Sequence, residues 1–86
     1  MAASDGSPEL VLYSRDYCHL CHDMIEALRP LQQARGFRLR VVEVDDDPEL
    51  ERRYGEKVPL LEGAGEEICH YFLDPAAVDA FLSKVR

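Results

Sequence analysis

The chain has no tryptophan, and aromatic residues make up only 8% of its 86 positions. Positive charge is scarce as well: 10 Lys and Arg stand against 17 Asp and Glu, for a formal net charge of −7. That balance disfavours nucleic acid and anionic membrane surfaces as partners, since both are bound through a cationic face. No apolar run is long enough to span a bilayer. The opening Met1-Ala2-Ala3-Ser4-Asp5-Gly6-Ser7-Pro8 lacks the basic and apolar segments of a secretory leader. Residues 1–7 are expected to form a flexible tail ahead of one domain over residues 8–86. Cysteine is sparse and odd in number, at three, which fits a secreted disulfide framework poorly. The expected setting is the cytoplasm, where a close cysteine pair is catalytic or metal-binding more often than structural.

Such a pair is present. Cys18-His19-Leu20-Cys21 follows the apolar run Glu9-Leu10-Val11-Leu12-Tyr13-Ser14 and leads into the helix-like His22-Asp23-Met24-Ile25-Glu26-Ala27-Leu28. Two thiols with this spacing, where a strand gives way to a helix, can close a disulfide on the first helical turn. Unpaired N–H groups and the positive end of the helix dipole favour a thiolate there. A thiolate with a second thiol in reach is what thiol–disulfide exchange requires.

Further along, a helix is expected from about Cys18 to Arg35, with Cys21, Met24, Ile25, Leu28 and Gln32 on one face. Pro30 predicts a kink or early stop inside it, and Gly36 its end. Phe37, Leu39 and Val41 alternate with Arg38 and Arg40, and Val42 and Val44 follow, as in a second strand. Asp47 and Pro48 read as N-cap and first residue of a short helix whose inner face carries Leu50 and Tyr54 and which ends at Gly55. Val58 to Glu62 and Glu66 to Phe72 form two strands of a hairpin about Gly63-Ala64-Gly65. Asp74 and Pro75 open a last helix with Val78, Phe81, Leu82 and Val85 as its buried stripe. The order β-α-β-α-β-β-α predicts an α/β fold, a four-stranded mixed sheet with helices on both faces. This is the thioredoxin fold in its smallest form.

From about Glu9 to Leu82 the chain resembles the glutaredoxins. Tyr13 to Cys21 is similar to their first strand and active-site loop, and Val58-Pro59 to the Val-Pro pair that opens their third strand. The resemblance implies that Pro59 is cis and faces the active cysteine, and that the Val58 backbone pairs with a bound peptide or glutathione. It implies Cys18 as attacking nucleophile and Cys21 as resolving thiol. Arg15 would contact a glutathione carboxylate, and Tyr17 would line the same groove. His19, between the cysteines, would tune the redox potential by favouring the thiolate. No tightly bound cofactor is implied; glutathione enters as a co-substrate, a disulfide-bearing protein as a partner, and the chain is expected to act as a monomer. The departures are clear. His19-Leu20 replaces the usual Pro-Tyr or Pro-Phe, and Ile68 to Asp74 contains no glycine pair. Thioredoxins match less well, because their Trp-Cys-Gly-Pro-Cys is missing and Leu12 takes the place of their buried Asp.

Three other readings use the same residues. Cys18 to His22 fits the Cys-x-x-Cys-His pattern of c-type haem attachment. Cys18, Cys21, Cys69 and His70 could ligate zinc, although neighbours on a strand point to opposite faces. Finally, a thioredoxin-fold module can bind a partner, or a shared cluster, without catalysis. Cys69 itself reads as a small buried hydrophobe.

Overall fold

The strand β1 (Glu9–Ser14) buries Leu10, Leu12 and Ser14 on one face and half-buries Val11 and Tyr13 on the other. The computed structural model describes residues 8–85, so the expected tail over residues 1–7 lies outside the described residues. The helix α1 (His19–Arg35) follows, closed by Gly36, whose N–H donates to the Gln32 carbonyl. Then come β2 (Arg38–Glu43), a 3-10 turn over Val44–Asp46, and α2 (Pro48–Tyr54). The hairpin β3 (Leu60–Gly63) and β4 (Glu66–His70) leads to α3 (Pro75–Lys84). The sheet order is β2-β1-β3-β4, with β1 parallel to β2 and antiparallel to β3.

One cluster makes the core. Leu10 and Leu12 of β1 and Leu61 of β3 meet Met24 and Leu28 of α1 and Val78, Phe81 and Leu82 of α3, with Phe37 alongside. The opposite face is covered more thinly. There Tyr13 stacks on Tyr54 of α2 with ring centroids 4.0 Å apart. Both hydroxyls donate to one carboxylate, Tyr13 to Glu62 Oε1 at 3.0 Å and Tyr54 to Oε2 at 3.4 Å. Burial, and then the hydrogen bond to Glu62, push the Tyr13 phenol well above its ordinary value. Helices therefore lie on both sides of the sheet, as expected. Among the described residues no helix is long and apolar enough to cross a membrane.

Several boundaries differ from expectation. α1 runs through Pro30 without stopping, because Met24 and Leu28 anchor it to the core and Pro30 itself is exposed. Val41 is 46% exposed rather than buried, since β2 is an edge strand and the core cluster draws on Phe37 and Leu39 instead. β3 begins at Leu60, leaving Val58-Pro59 ahead of it. β4 stops at His70, because Tyr71 turns into the left-handed region at φ 66° and breaks the pleat. Gly55 follows α2 in right-handed conformation, so the short helix ends without a left-handed reversal. Val85 lies beyond α3 and is partly exposed.

Candidate functional site

Cys18 takes the N-cap position of α1 in extended conformation, and its Sγ accepts the Cys21 backbone N–H at 3.1 Å. A sulfur here does what a Ser or Asp oxygen does at other helix starts, satisfying one of the orphan donors. The two cysteines are joined in a disulfide with Cα atoms 5.1 Å apart. Cys18 is half-buried, whereas Cys21 is 1% exposed against the core side of α1. The pair is thus asymmetric, with one half-cystine partly exposed at the helix start and the other buried behind it.

The loop before the pair is pinned from outside. The Cys18 N–H returns to the Arg15 carbonyl at 3.2 Å, closing a tight turn. The Arg15 Nε donates to Asp45 at 3.1 Å, and its other arm pairs with Glu51 of α2. These contacts, the Glu51 bond above all, hold the guanidinium protonated more firmly than usual. Arg15 therefore ties the loop to the β2–α2 connection. Tyr17 is 98% exposed beside Cys18, and His19 is exposed on the first turn.

Val58 and Pro59 reach the same end of the sheet, because Tyr13 pairs with Leu60 and the preceding residues extend past Ser14. The Val58–Pro59 peptide is cis; Pro59 is fully buried and Val58 half-buried. The Pro59 carbonyl accepts the Tyr71 N–H at 2.7 Å. Asp74 caps α3 through the Ala77 N–H at 3.2 Å. Cys69 is a free, half-buried thiol packed against the core, and burial pushes its pKa up. His70 pairs with Glu67, and among the described residues no three His, Cys, Asp or Glu side chains come together as a metal-binding group.

Two features of this end escape a reading by motif. One is Glu43, the last residue of β2, opposite Ser14 in the parallel register. Its Oε1 is buried with no hydrogen-bond partner among the described residues. Burial first, then Asp16, Asp46 and Asp45, hold this carboxyl above the ordinary carboxylate range. A glutamate directly after the apolar Val41-Val42 at the end of β2 was the available signal. Because the folded value is raised, Glu43 favours folding fully only below the unfolded carboxyl value of about 4.3, and that contribution is lost as pH rises through the folded value. Glu43→Gln is expected to raise Tm by a few degrees near pH 7 and to have no effect at about pH 4. Thermal melts at both pH values check this; an equal shift at both would show that charge is not the cause.

The second feature is a shallow cleft of about 270 Å³ between α1 and the segment after β4. Leu20, which lies between the two half-cystines in the first turn of α1, lines it together with Tyr71 and Phe72. The successive aromatics Tyr71-Phe72 were its trace in the sequence, since strict alternation would turn only one of them outward.

The model of the family described as Glutaredoxin-like domain (DUF836) matches residues 9–83. Among solved structures, a Nitrosomonas europaea protein is 42% identical, with a TM-score of 0.80 over 87% of this chain and 91% of that one. A protein from X. campestris is 41% identical, with a TM-score of 0.69 over 87% of this chain and 96% of that one. The holo form of glutaredoxin C1 from Populus tremula x tremuloides is 20% identical with a TM-score of 0.61 over 93% and 87%, a likeness of fold alone. No curated protein matches the chain.

Proposed function

The chain belongs to the glutaredoxin-like domain (DUF836) family, and on that footing we propose that it is a thiol–disulfide oxidoreductase working through Cys18 and Cys21. The thioredoxin-type fold and the cysteine pair support a redox role in general. What carries the specific reading is the asymmetry of the pair: a partly exposed Cys18 at the helix N-cap, its Sγ accepting the Cys21 N–H at 3.1 Å, with a buried partner one turn in. In the reduced protein the same N–H and the helix dipole favour Cys18 as thiolate.

In the proposed cycle the Cys18 thiolate attacks one sulfur of a substrate disulfide. The substrate S–S bond breaks, and the departing sulfur leaves as thiolate and takes a proton. Cys21 then loses its proton and attacks Cys18 Sγ, releasing the second substrate sulfur as thiol and leaving the Cys18–Cys21 disulfide. Two electrons have passed to the substrate, and a dithiol or two molecules of glutathione return them. Protein disulfides and glutathione mixed disulfides are the substrate class. Tyr17, the Val58 backbone and Pro59 would line the approach to Cys18, and a protonated His19 would stabilise its thiolate. Arg15 can contribute to a glutathione carboxylate only by sharing a guanidinium already bound to Asp45 and Glu51. A monomer acting in the reducing cytoplasm suits an exchange pair with one further unpaired thiol.

Intact mass after equilibration across glutathione redox buffers, followed by peptide mapping, tests the proposal. Loss of two hydrogens at Cys18–Cys21, with a glutathione adduct on Cys18 as intermediate, is expected. Thiols that stay reduced across the whole series would overturn it.

A further inference from the structure

We propose that the cleft beside the cysteine pair seats a large apolar side chain adjoining the disulfide-bonded cysteine of a polypeptide substrate, so that this site takes polypeptide disulfides in preference to glutathione; this rests on the dithiol function above. Leu20, Met24 and Ala27 on one face of α1 form one wall, and Tyr71, Phe72 and Leu73 form the other. Leu20 lies between Cys18 and Cys21 in sequence, so the near end of the cleft is within two residues of each half-cystine. Its volume of about 270 Å³ suits one side chain and falls below the usual range of sites that enclose a whole small molecule.

The aromatic wall is built outward and fixed there. Phe72 is 69% and Tyr71 41% exposed. Tyr71 holds φ at 66°, the left-handed region that side-chain-bearing residues seldom adopt. Three bonds keep it: its N–H to the Pro59 carbonyl at 2.7 Å, its hydroxyl to the Glu56 carbonyl at 2.8 Å, and the Phe72 N–H to the His70 carbonyl at 2.7 Å. The same Pro59 joins this wall to the end of the sheet where Cys18 lies. Two large rings held in water beside a reactive pair are in place to leave water when a substrate docks.

Charge selects the occupant. Asp23 borders the cleft, Asp16 lies in the loop before Cys18, and Glu43, Asp45 and Asp46 cluster behind that loop. Arg15, the cation of the loop, is engaged by two carboxylates. Glutathione is a small thiol with two carboxylates and no large apolar group, so it meets like charge and leaves the cleft empty. An extended segment with an apolar residue next to its cysteine, and neutral or basic neighbours, fits both surfaces. Docking would bring that cysteine's sulfur to Cys18; exchange then proceeds as above, two electrons passing from the reduced pair to the segment's disulfide.

The test uses the full chain, reduced with a phosphine that is then removed. Rates are measured with two short peptide disulfides differing only in the residue beside cysteine, phenylalanine or aspartate, and with oxidised glutathione and bis(hydroxyethyl) disulfide. The phenylalanine peptide should react about tenfold faster than the aspartate peptide or oxidised glutathione, the gain expected when roughly half of one apolar side chain leaves water. Phe72→Ser and Leu20→Ser should each cut that ratio several-fold, leaving the part set by the surrounding carboxylates, while Val41→Ser, on the far edge of the sheet, keeps it in full. Equal rates for all four disulfides, or a ratio undiminished in both cleft variants, would overturn the docking site alone. No reaction with any of them would overturn the dithiol function and the docking site together.

Discussion

Cys18→Ser protein is expected to lose disulfide exchange by on the order of a thousandfold or more, whereas Cys21→Ser protein should complete the first exchange and stop there. The difference follows from position. Cys18 is the partly exposed half-cystine, and its Sγ has the Cys21 N–H at 3.1 Å to share a developing negative charge. A serine hydroxyl at the same N-cap would accept that hydrogen bond equally well, so the helix start and the fold should survive. What is lost is the thiolate nucleophile, which a serine hydroxyl cannot supply. Cys21, 1% exposed, cannot replace it from its buried place. With Cys21 changed to Ser, the mixed disulfide on Cys18 has no internal thiol to resolve it and accumulates. Non-reducing mass spectrometry after mixing with an oxidised peptide distinguishes the two variants. Adducts on Cys21 in the Cys18→Ser protein, forming as fast as adducts on Cys18 in the other, would reverse the assignment of roles.

Gly63→Val is expected to destabilise the fold by about 3 kcal/mol, lowering Tm by roughly 12–24 °C for a domain of this size. Strand propensity alone argues the reverse, since valine suits a strand and glycine does not. Packing decides the sign. A Cβ at Gly63 would lie 2.5 Å from Phe81 Cζ and 2.6 Å from its Cε2. Phe81 is itself part of the core with Val78 and Leu82, so the ring cannot retreat without opening space elsewhere. Gly63 also pairs with Leu10 on one side and Glu66 on the other, which fixes the backbone beneath the ring. Gly63→Ala should cost about 1–2 kcal/mol, and adding Phe81→Leu should recover part of it. Denaturant melts of the single and double variants measure the coupling. A Gly63→Val protein as stable as the parent would show that α3 adjusts freely over the sheet.

Much of this architecture can be read from residue order. The run of residues 9–14, the cysteine pair and the Asp-Pro starts of α2 and α3 are local signals, and each reports a local structure. Cys18, Cys21, Val58 and Pro59 fall at one end of the sheet because β3 pairs with β1, whereas the succession of elements announced only the β1–β2 pairing and the β3–β4 hairpin. The remainder depends on partners distant in sequence. Arg15 meets Asp45 and Glu51, 30 and 36 positions away, and nothing beside Arg15 announces it. Tyr13 and Tyr54 converge on Glu62 only after two helices have been laid over the sheet. Val41 looks like a core residue until β2 is known to be an edge. The end of β4 was hidden for a different reason: Tyr71 adopts a backbone conformation more usual for glycine.

The placement of β1 in the middle of the sheet also governs the order in which the chain can assemble. As the polypeptide emerges from the ribosome, β1, α1 and β2 can form a parallel unit from local contacts. One edge of β1 then stays open until Leu60 to Gly63 arrive to pair with Tyr13 to Leu10. Closing that pair spans about 50 residues and carries the largest loop entropy in the sheet. Until then Leu10 and Leu12 lack Leu61, Val78, Phe81 and Leu82 as neighbours. The nascent reactive half is therefore sticky before it is stable, and the last third of the chain acts as its intramolecular chaperone.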